Sequence, residues 1–456
     1  MSVHSLRRIF WQPSKYYEII RLSIPLILAS AGLVLMQFVD GMFLAWYSPA
    51  TIAAVGTAGM VSYAVNSFIL GVVGYTSPYV ANLVGADKNG TVGKLVWQGI
   101  YIALAAGLAS ICLAPASTRF FLLCGHDSQL AAAEGTYLRI MLLGGVFQFI
   151  AVAVSGFFSG RGDNVRLMLA QITGQLVNIV GDYVLIFGKC GLPEMGISGA
   201  ALATVISSIV TMVILLAMFF RSRHNVTYGT ISGWRFDYAL CRRLLSFSIS
   251  SGVMLLIDAI IWTLFLLLVG RIDVVALAAS SIVFRINMVA FQPIIGLGRA
   301  AAACIGKSHG AKNHPETIEY TMHCVAMCQL WMMLIAASYF FCGEEYLEIF
   351  RSRDGEDFQA VMETGLNIMR FLALYCLADG LNVGFASALQ AVGDTKWVAI
   401  VMGSCTLFFS ALLCIGMKLN CGIYGMWTIA TVFIMVMPLF WIYRFCGGKW
   451  KKIQVA

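Results

Sequence analysis

The chain has 456 residues, of which 60% are hydrophobic and only 11% charged, and its formal net charge is +8. Soluble domains typically have about 25% charged residues, so this composition excludes an ordinary soluble fold and indicates an integral membrane protein. The positive charge is also typical of nucleic-acid binding, but basic residues gathered in the cytoplasmic loops of a membrane protein explain it without any nucleic acid.

Twelve apolar runs follow one another along the chain. Each is long enough to cross the hydrocarbon core of a bilayer as a helix, which takes about 20 apolar residues. Nothing alternates with period two, as the strands of a membrane barrel would, so the runs are predicted helices. They fall near 17–45, 52–80, 93–115, 132–158, 165–188, 195–220, 244–270, 275–303, 317–342, 360–388, 397–417 and 424–446.

The resulting fold class is an all-α integral membrane protein with twelve transmembrane helices in two six-helix lobes. The predicted parts are an N-terminal tail (1–16), an N-terminal lobe (17–220), a linker (221–243), a C-terminal lobe (244–446) and a basic tail (447–456).

Lysine and arginine predict the orientation of the chain. With the N-terminus inside, twenty of them fall in cytoplasmic segments and six on the opposite side. This asymmetry places both termini in the cytoplasm, and we expect a multi-pass protein of the cell inner (plasma) membrane.

The two halves contain repeated motifs at offsets of 225 to 231 residues. The stretch around G-D-N (162–164) recurs as G-D-T (393–395), and G-I-S-G (196–199) recurs as G-I-Y-G (422–425). G-A-D-K-N (85–89) likewise recurs as G-A-K-N (310–313). Because six helices repeat in order, we predict a pseudo-twofold axis along the membrane normal, with a central site where the halves face each other.

Four carboxylates lie deep in apolar runs, namely Asp40, Asp182, Asp258 and Asp379. Ionisable groups within a bilayer are costly and usually mark an ion or substrate pathway. We therefore interpret all four as candidate site residues.

The fifth run carries Gln171, Gln175, Asn178 and Asp182 at steps of four, three and four, which puts them on one helical face. One interpretation is a hydrogen-bonding seam between helices. The other is a polar cavity whose carboxylate exchanges a proton or holds a sodium ion. An ionisable group at the end of the stripe favours the second.

Asp258 and Asp379 are isolated, so ion pairing with Arg285 or Arg370 inside the bundle is an alternative to a C-lobe ion or substrate site. Thr204 and Gln37 are weaker candidates for additional oxygen ligands. Pro25, in the first run, predicts a bend that is either static or a hinge.

Other chemistry finds little support in the sequence. G-K-S at 306–308 lacks the first glycine of a phosphate-binding loop and follows no strand, so we expect no nucleotide. The thirteen cysteines show no metal-ligand or disulfide spacing. We expect no cofactor beyond a coupling Na⁺ or H⁺.

The ordered motifs resemble those of the multidrug and toxic compound extrusion (MATE) transporters over about residues 15 to 446. They are V-D-G-M-F-L-A (39–45), T-I-A-A-V-G-T-A (51–58), F-F-S-G-R-G-D-N (157–164), N-I-V-G-D-Y-V-L-I-F-G (178–188), G-I-S-G-A-A-L-A-T (196–204) and A-S-A-L-Q-A-V-G-D-T-K (386–396).

The resemblance implies a V-shaped pair of lobes that exports organic, often cationic, compounds or drugs by antiport against Na⁺ or H⁺. It implies cation coupling by Asp40, Asn178 and Asp182, joined by Thr204. Asp379 matches an acidic residue of the NorM-like branch, and Asp258 stands where that branch typically has glutamate. We expect a monomer that contacts membrane lipid and a small-molecule substrate, and no nucleic acid.

Two rival functions come from this reasoning. A flippase for lipid-linked sugars shares the architecture, but such proteins often carry a basic central cavity, whereas the mid-span groups here are mainly acidic. An intramembrane aspartyl protease needs two carboxylates that share a proton. The four candidates lie on four different spans, so we expect no enzyme.

Overall fold

The computed structural model describes residues 13–350 and 358–455. Throughout these residues the regular structure is helical, and twelve spans are long and apolar enough to cross a membrane. The predicted all-α fold with twelve spans is confirmed. Of the predicted tail 1–16, residues 1–12 lie outside the described residues, and the rest already belongs to the first helix.

The helices of the first half begin and end close to the predicted runs. They are α1 (Pro13–Tyr47), α2 (Pro49–Gly74), α3 (Thr76–Gly85), α4 (Asn89–Leu113), α5 (Ser117–Leu123), α6 (Ser128–Arg161), α7 (Asn164–Ile186) and α8 (Gly196–Phe219).

The second half follows the same order after a short helix. It comprises α9 (Ser222–Tyr228), α10 (Tyr238–Val269), α11 (Val274–Gly310), α12 (His314–Phe341), α13 (Gly343–Glu348), α14 (Phe358–Ala391), α15 (Thr395–Lys418) and α16 (Gly422–Cys446). The segment predicted as a linker (221–243) thus contains α9 and the first turn of α10.

The second span is divided into α2 and α3 at Tyr75. Pro78 has no N–H to donate to the carbonyl of Gly74, so the regular helical pattern is interrupted there. The Thr76 hydroxyl donates to the carbonyl of Val73 at 2.7 Å, which offers that backbone group an alternative partner. An apolar run alone does not reveal such a break.

Two compact units make up the fold. The N-terminal unit is Ile24–Leu256, and the C-terminal unit consists of 13–23 with Ile257–Val455. Within the N-terminal unit, α6 packs on α2, α4 and α8; within the C-terminal unit, α14 packs on α11, α12 and α16. The fourth span of each half is therefore the central and most buried helix of its unit.

The internal repeat is visible in the backbone. At three pairs of equivalent positions the chain adopts a left-handed conformation with positive φ. The pairs are Asp87 (56°) with Lys312 (59°), Gly162 (82°) with Gly393 (87°), and Gly196 (49°) with Gly422 (65°). The repeated motifs are thus repeated turns that end one helix and direct the chain into the next.

At the repeated G-D turn, each half places an aspartate against arginine. Asp394 is 4% exposed and receives two hydrogen bonds from Arg444, Nε to Oδ2 at 2.6 Å and Nη2 to Oδ1 at 3.0 Å. Its counterpart Asp163 is paired with Arg166 and also lies 3.5 Å from Arg161. Among the described residues, Asp163 therefore has two arginines close by, whereas Asp394 is paired with Arg444 alone.

Arg444→Gln is expected to destabilise the protein by about 3 kcal/mol, because it leaves the buried Asp394 carboxylate without its cation. Arg166→Gln serves as the matched control, since Asp163 keeps Arg161. Thermal unfolding of the detergent-solubilised variants measures both changes. Equal losses of melting temperature would contradict this interpretation of the two turns.

The helix α9 folds back so that His224 is buried against α6. The His224 ring packs edge-on against Phe157, with 5.2 Å between ring centroids, and its Nδ1 lies 2.9 Å from the carbonyl oxygen of Met218. Burial, reinforced by the charge of Arg161, lowers the pKa of His224 below its ordinary value of 6.5.

The lowered pKa of His224 predicts a pH-dependent stability. The unfolded chain binds a proton at His224 more readily than the folded one does, so folding is favoured fully above about pH 6.5 and this contribution is lost as the pH falls further. We expect the melting temperature to drop between about pH 7 and pH 5, and the drop to be smaller in His224→Phe. An unchanged pH dependence in that variant would show that His224 does not contribute.

Candidate functional site

A cluster of polar side chains lies where α1, α7 and α8 meet in the N-terminal unit. Asn178 of α7 is completely buried. With its amide oriented by its partners, Nδ2 donates to Asp40 Oδ1 at 3.0 Å and lies 3.3 Å from Oδ2, while Oδ1 accepts from the backbone N–H of Thr204 at 3.2 Å. One buried amide therefore links the carboxylate of α1 to the backbone of α8.

The second carboxylate of the cluster is Asp182, one helical turn beyond Asn178 on α7. It is 1% exposed, and its carboxyl group lies within hydrogen-bonding reach of that of Asp40. Such a contact forms only when one of the two groups is protonated. Among the residues that the structure describes, neither oxygen of an ionised Asp182 has a hydrogen-bond partner. The pair thus requires a shared proton or a cation.

The local sequence explains this approach of α1 to α7. Gln175 donates through Nε2 to the carbonyl of Ala29 at 2.9 Å. A Cβ at Gly32 would lie 2.3 Å from Gln175 Oε1, so only glycine leaves room for this amide. Beyond the cluster, Phe43 of α1 packs edge-on against Phe187, with 6.0 Å between ring centroids. Of the polar stripe on α7, Gln175 therefore forms a hydrogen-bonding seam with α1, while Asn178 and Asp182 belong to the candidate site.

The other candidates of the N-terminal unit have different positions. Thr204 lies at the edge of the cluster, with Oγ1 3.4 Å from the Asn178 amide. Gln37 is exposed and Gln171 is half-buried. Pro25 is buried within the continuous helix α1, one residue after the division between the two units at Ser23.

Two residues near this region were not singled out by sequence reasoning. Tyr137 of α6 lies close enough to Asp40 and Asp182 for their charges to act on its phenol. Glu134, one turn earlier, is a fully buried carboxylate that accepts a hydrogen bond from Thr57, and its Oε2 lies 2.6 Å from His126 Nδ1. The position of Glu134 near the start of its apolar run made it resemble a loop residue.

In the C-terminal unit, Asp258 and Asp379 differ in exposure. Asp379 of α14 is 7% exposed and lies near the Asn382 side chain, three residues further along the helix, whose Nδ2 donates to the carbonyl of Ile434 at 3.1 Å. Asp258 of α10 is exposed and hydrogen-bonded to Trp262, four residues further along. The two carboxylates lie close enough to interact electrostatically. Both partners were visible in the sequence as neighbours on the same helical face.

These contacts bear on the proposed pairing with arginine. Among the described residues, Trp262 acts on the carboxylate of Asp258, and Asn382 acts on that of Asp379. Arg370 donates instead to Asn367 Oδ1 at 3.1 Å. Pairing of Arg370 with Asp258 or Asp379 therefore finds no support.

A hydrogen-bond network holds the surroundings of Asp379. Trp441 donates through Nε1 to Asn382 Oδ1 at 3.1 Å, which fixes the amide that contacts Asp379. On the other side, Asn287 donates to the hydroxyl of Tyr375 at 2.9 Å and accepts from Tyr339 at 3.3 Å. Tyr375 lies one helical turn before Asp379, so the acidic group is embedded in a pre-organised polar region.

Asp40 and Asp182 lie on different spans yet close together, which is the grouping that the resemblance implied. Their positions on different spans therefore do not by themselves exclude a shared proton. The amide of Asn178 also contacts this pair, and Tyr137 lies nearby. The N-terminal unit thus brings two carboxylates and an amide into one cluster, with a phenol close by.

The sequence of this chain is similar to a known protein family and to several curated proteins. The family model MatE matches residues 25–184 and 251–415. The probable multidrug resistance protein NorM of Bradyrhizobium diazoefficiens is 25% identical over 95% of this chain and 88% of its own length. Its namesake from Thermotoga maritima is 24% identical over 96% and 94%.

A solved structure shares the fold. A transporter of the MOP superfamily from Pyrococcus furiosus, described as having a binding pocket of reverse polarity that suggests a different function, superposes with a TM-score of 0.87. It covers 96% of this chain and 97% of its own length at 21% identity. At that identity the likeness concerns the fold alone.

Proposed function

This chain belongs to the MatE family of multidrug efflux transporters, and from that premise we propose that it exports organic, often cationic compounds in exchange for Na⁺ or H⁺. In this proposal the cation site faces the two sides of the membrane in turn. The chain acts without a nucleotide or a cofactor, and its partners are a small-molecule substrate and membrane lipid.

The observation that carries the proposal is the contact between Asp40 and Asp182. Two ionised carboxylates at hydrogen-bonding reach repel each other strongly in a medium of low dielectric constant. Within the described part of the chain, an ionised Asp182 has no hydrogen-bond partner, so a bound proton or sodium ion stabilises the pair. Thr204 Oγ1, at the edge of the cluster, adds an oxygen atom, which is the ligand type that hard cations prefer. Asn178 contributes by donating through Nδ2 to Asp40 and so orients its carboxylate.

Exchange follows from linkage between the cation and the substrate. A cation that binds one orientation of the protein more tightly shifts the population toward that orientation, and a substrate with the opposite preference shifts it back. The membrane potential contributes about 2.3 kcal/mol per elementary charge for each 100 mV, which is enough to drive export against a gradient.

The C-terminal carboxylates and Pro25 have subsidiary roles in this proposal. Asp379 and Asp258 form a second acidic site for the ion or for a cationic substrate. Pro25 acts as a hinge, because α1 passes from one compact unit to the other beside a residue that cannot complete the helical hydrogen-bond ladder.

Ethidium efflux from proteoliposomes under an imposed sodium or proton gradient, applied one at a time, tests the proposal. We expect one of the two gradients to drive efflux and its reversal to stop it. An efflux rate that changes with neither the sodium gradient nor the proton gradient would overturn the proposal of antiport. Movement of a lipid-linked sugar across the same vesicles without any gradient would favour the flippase, although a flippase often has a basic cavity and the clusters here are acidic.

A further inference from the structure

The segment between α9 and α10 is held firmly against α4. Trp97 donates through Nε1 to the carbonyl of Thr230 at 2.8 Å, and the Tyr101 hydroxyl donates to the carbonyl of Trp234. Gln98 donates to the carbonyl of Arg235 at 3.3 Å and accepts from the backbone N–H of Asp237 at 3.2 Å. This connection is therefore a fixed part of the N-terminal unit.

Close backbone packing reinforces these hydrogen bonds. A Cβ on Gly93 of α4 would lie 2.3 Å from the carbonyl oxygen of Gly229 and 2.6 Å from that of Tyr228. No side chain larger than hydrogen fits there. The connection is thus packed directly against the first turns of α4, which belong to a candidate membrane span.

Large aromatic side chains on this fixed segment are left uncovered. Trp234 is 58% exposed, Phe236 60% and Tyr238 69%. Aromatic side chains are enriched at the boundary between hydrocarbon and headgroups, where an apolar ring with a polar edge is well accommodated. The segment therefore presents an interfacial surface rather than a water-exposed loop.

An open cavity of about 430 Å³ at the start of α10 includes the last of these rings and is lined by Tyr238, Ala239, Arg242, Arg243 and Ser246. Tyr238, Arg242 and Ser246 follow at steps of four, so a phenol, a guanidinium and a hydroxyl point from one face of α10. A volume of this size is typical of small-molecule sites.

The charge of the cavity is positive. Residues 221–243 contain five arginines and one acidic residue, Asp237. Asp237 Oδ1 accepts from the backbone N–H of Leu240 at 3.0 Å and so is engaged at the start of α10. The guanidinium groups of Arg242 and Arg243 provide the donors that bind a phosphate. The Ser246 hydroxyl donates to the carbonyl of Arg243 at 2.8 Å and only lines the cavity.

We propose that this cavity binds the phosphate of an anionic phospholipid headgroup, with Arg242 and Arg243 as its ligands and the exposed rings at the lipid boundary. The assignment is independent of the coupling ion. On the predicted orientation it lies at the cytoplasmic leaflet, whose anionic lipids attract juxtamembrane basic residues. A bound headgroup would fix the connection between the two halves of the chain to the membrane surface.

Native mass spectrometry of the full-length protein in detergent micelles tests this site. The probes are dioctanoyl phosphatidylglycerol, dioctanoyl phosphatidylcholine with the same chains, and inorganic phosphate. We expect one phosphatidylglycerol to bind preferentially, and Arg242→Gln/Arg243→Gln to weaken its binding about tenfold or more.

The chain offers a matched control in Arg221→Gln/Arg223→Gln, which removes the same charge from exposed residues of the same connection outside the cavity. The proposal expects less than about a twofold effect there. Equal losses in both double variants would overturn it in favour of diffuse attraction. Equal binding of phosphatidylcholine would overturn the role of charge, and full displacement of the lipid by inorganic phosphate would overturn the assignment to a lipid.

A second double variant distinguishes loss of the positive charges from a folding defect. Arg242→Lys/Arg243→Lys keeps both charges, and we expect it to retain binding within about threefold. If it loses binding as completely as the glutamine variant while its melting temperature equals that of the unmodified protein, the charges do not hold the lipid and the proposal fails.

Discussion

Asp40→Asn and Asp182→Asn are each expected to reduce gradient-driven ethidium efflux to the level of empty vesicles. Either change leaves a single ionisable carboxyl group beside Asn178 and removes the charge that a shared proton or cation balances. The substitutions preserve side-chain shape, so insertion into the membrane is expected to be unaffected. Efflux and membrane content are measured on the same vesicles.

The double variant Asp40→Asn/Asp182→Asn is expected to be no worse than either single one, because groups that act as one unit are not additive. Glu134→Gln is the control for loss of a buried charge, since it lies in the same unit but contacts Thr57 and His126 instead. Undiminished efflux by the double variant would exclude this pair as the coupling site.

Asp379→Asn is expected to lower the efflux rate by at least about tenfold, equivalent to about 1.4 kcal/mol. Its carboxylate is buried beside Asn382, whose amide is held by Trp441 and by the carbonyl of Ile434, so the site loses its charge while its geometry is retained. Initial rates of ethidium efflux measure the loss.

Trp441→Phe is the companion to this variant, because it keeps the charge of Asp379 and removes only the donor that orients Asn382. A loss of a few-fold is expected, clearly smaller than that of Asp379→Asn. If the two variants lose efflux equally, the contribution of Asp379 comes from local structure rather than from charge.

The sequence predicted the fold well because lipid constrains it severely. A span needs a long apolar run, and the repeated turns are marked by residues such as Gly162 and Gly393 that adopt a left-handed backbone. The apolar pattern does not predict the helix break at Tyr75. The break arises because Pro78 has no N–H to donate to the carbonyl of Gly74. The docking of 229–237 on α4 was also missed, because backbone carbonyls that accept from Trp97 and Tyr101 leave no trace in the sequence.

The candidate site could be predicted only in part. Helical spacing placed Asn178 and Asp182 on one face, and similar spacing would have found Trp262 and Asn382. The contact between Asp40 and Asp182 joins residues 142 positions apart in the chain. Such a contact depends on how closely α1 and α7 approach each other. Gly32 leaves room for this approach, but a glycine in the sequence does not by itself indicate which helix will pack against it.

Tyr137 is a residue near the candidate site that the sequence does not single out. A tyrosine in an apolar run is common and carries no periodic signal. Its proximity to both carboxylates follows only from the central position of α6 in the N-terminal unit. Residues of this kind are identified once the packing of a unit is known.

The central claim is that substrate and cation are linked through Asp40 and Asp182. The affinity of the purified protein for ethidium, measured by fluorescence at rising sodium concentration and separately at falling pH, tests it most directly. The account predicts that one of the two cations weakens ethidium binding, and that Asp40→Asn/Asp182→Asn abolishes this dependence. Ethidium affinity that is independent of both cations, or equally dependent in the variant, would contradict it.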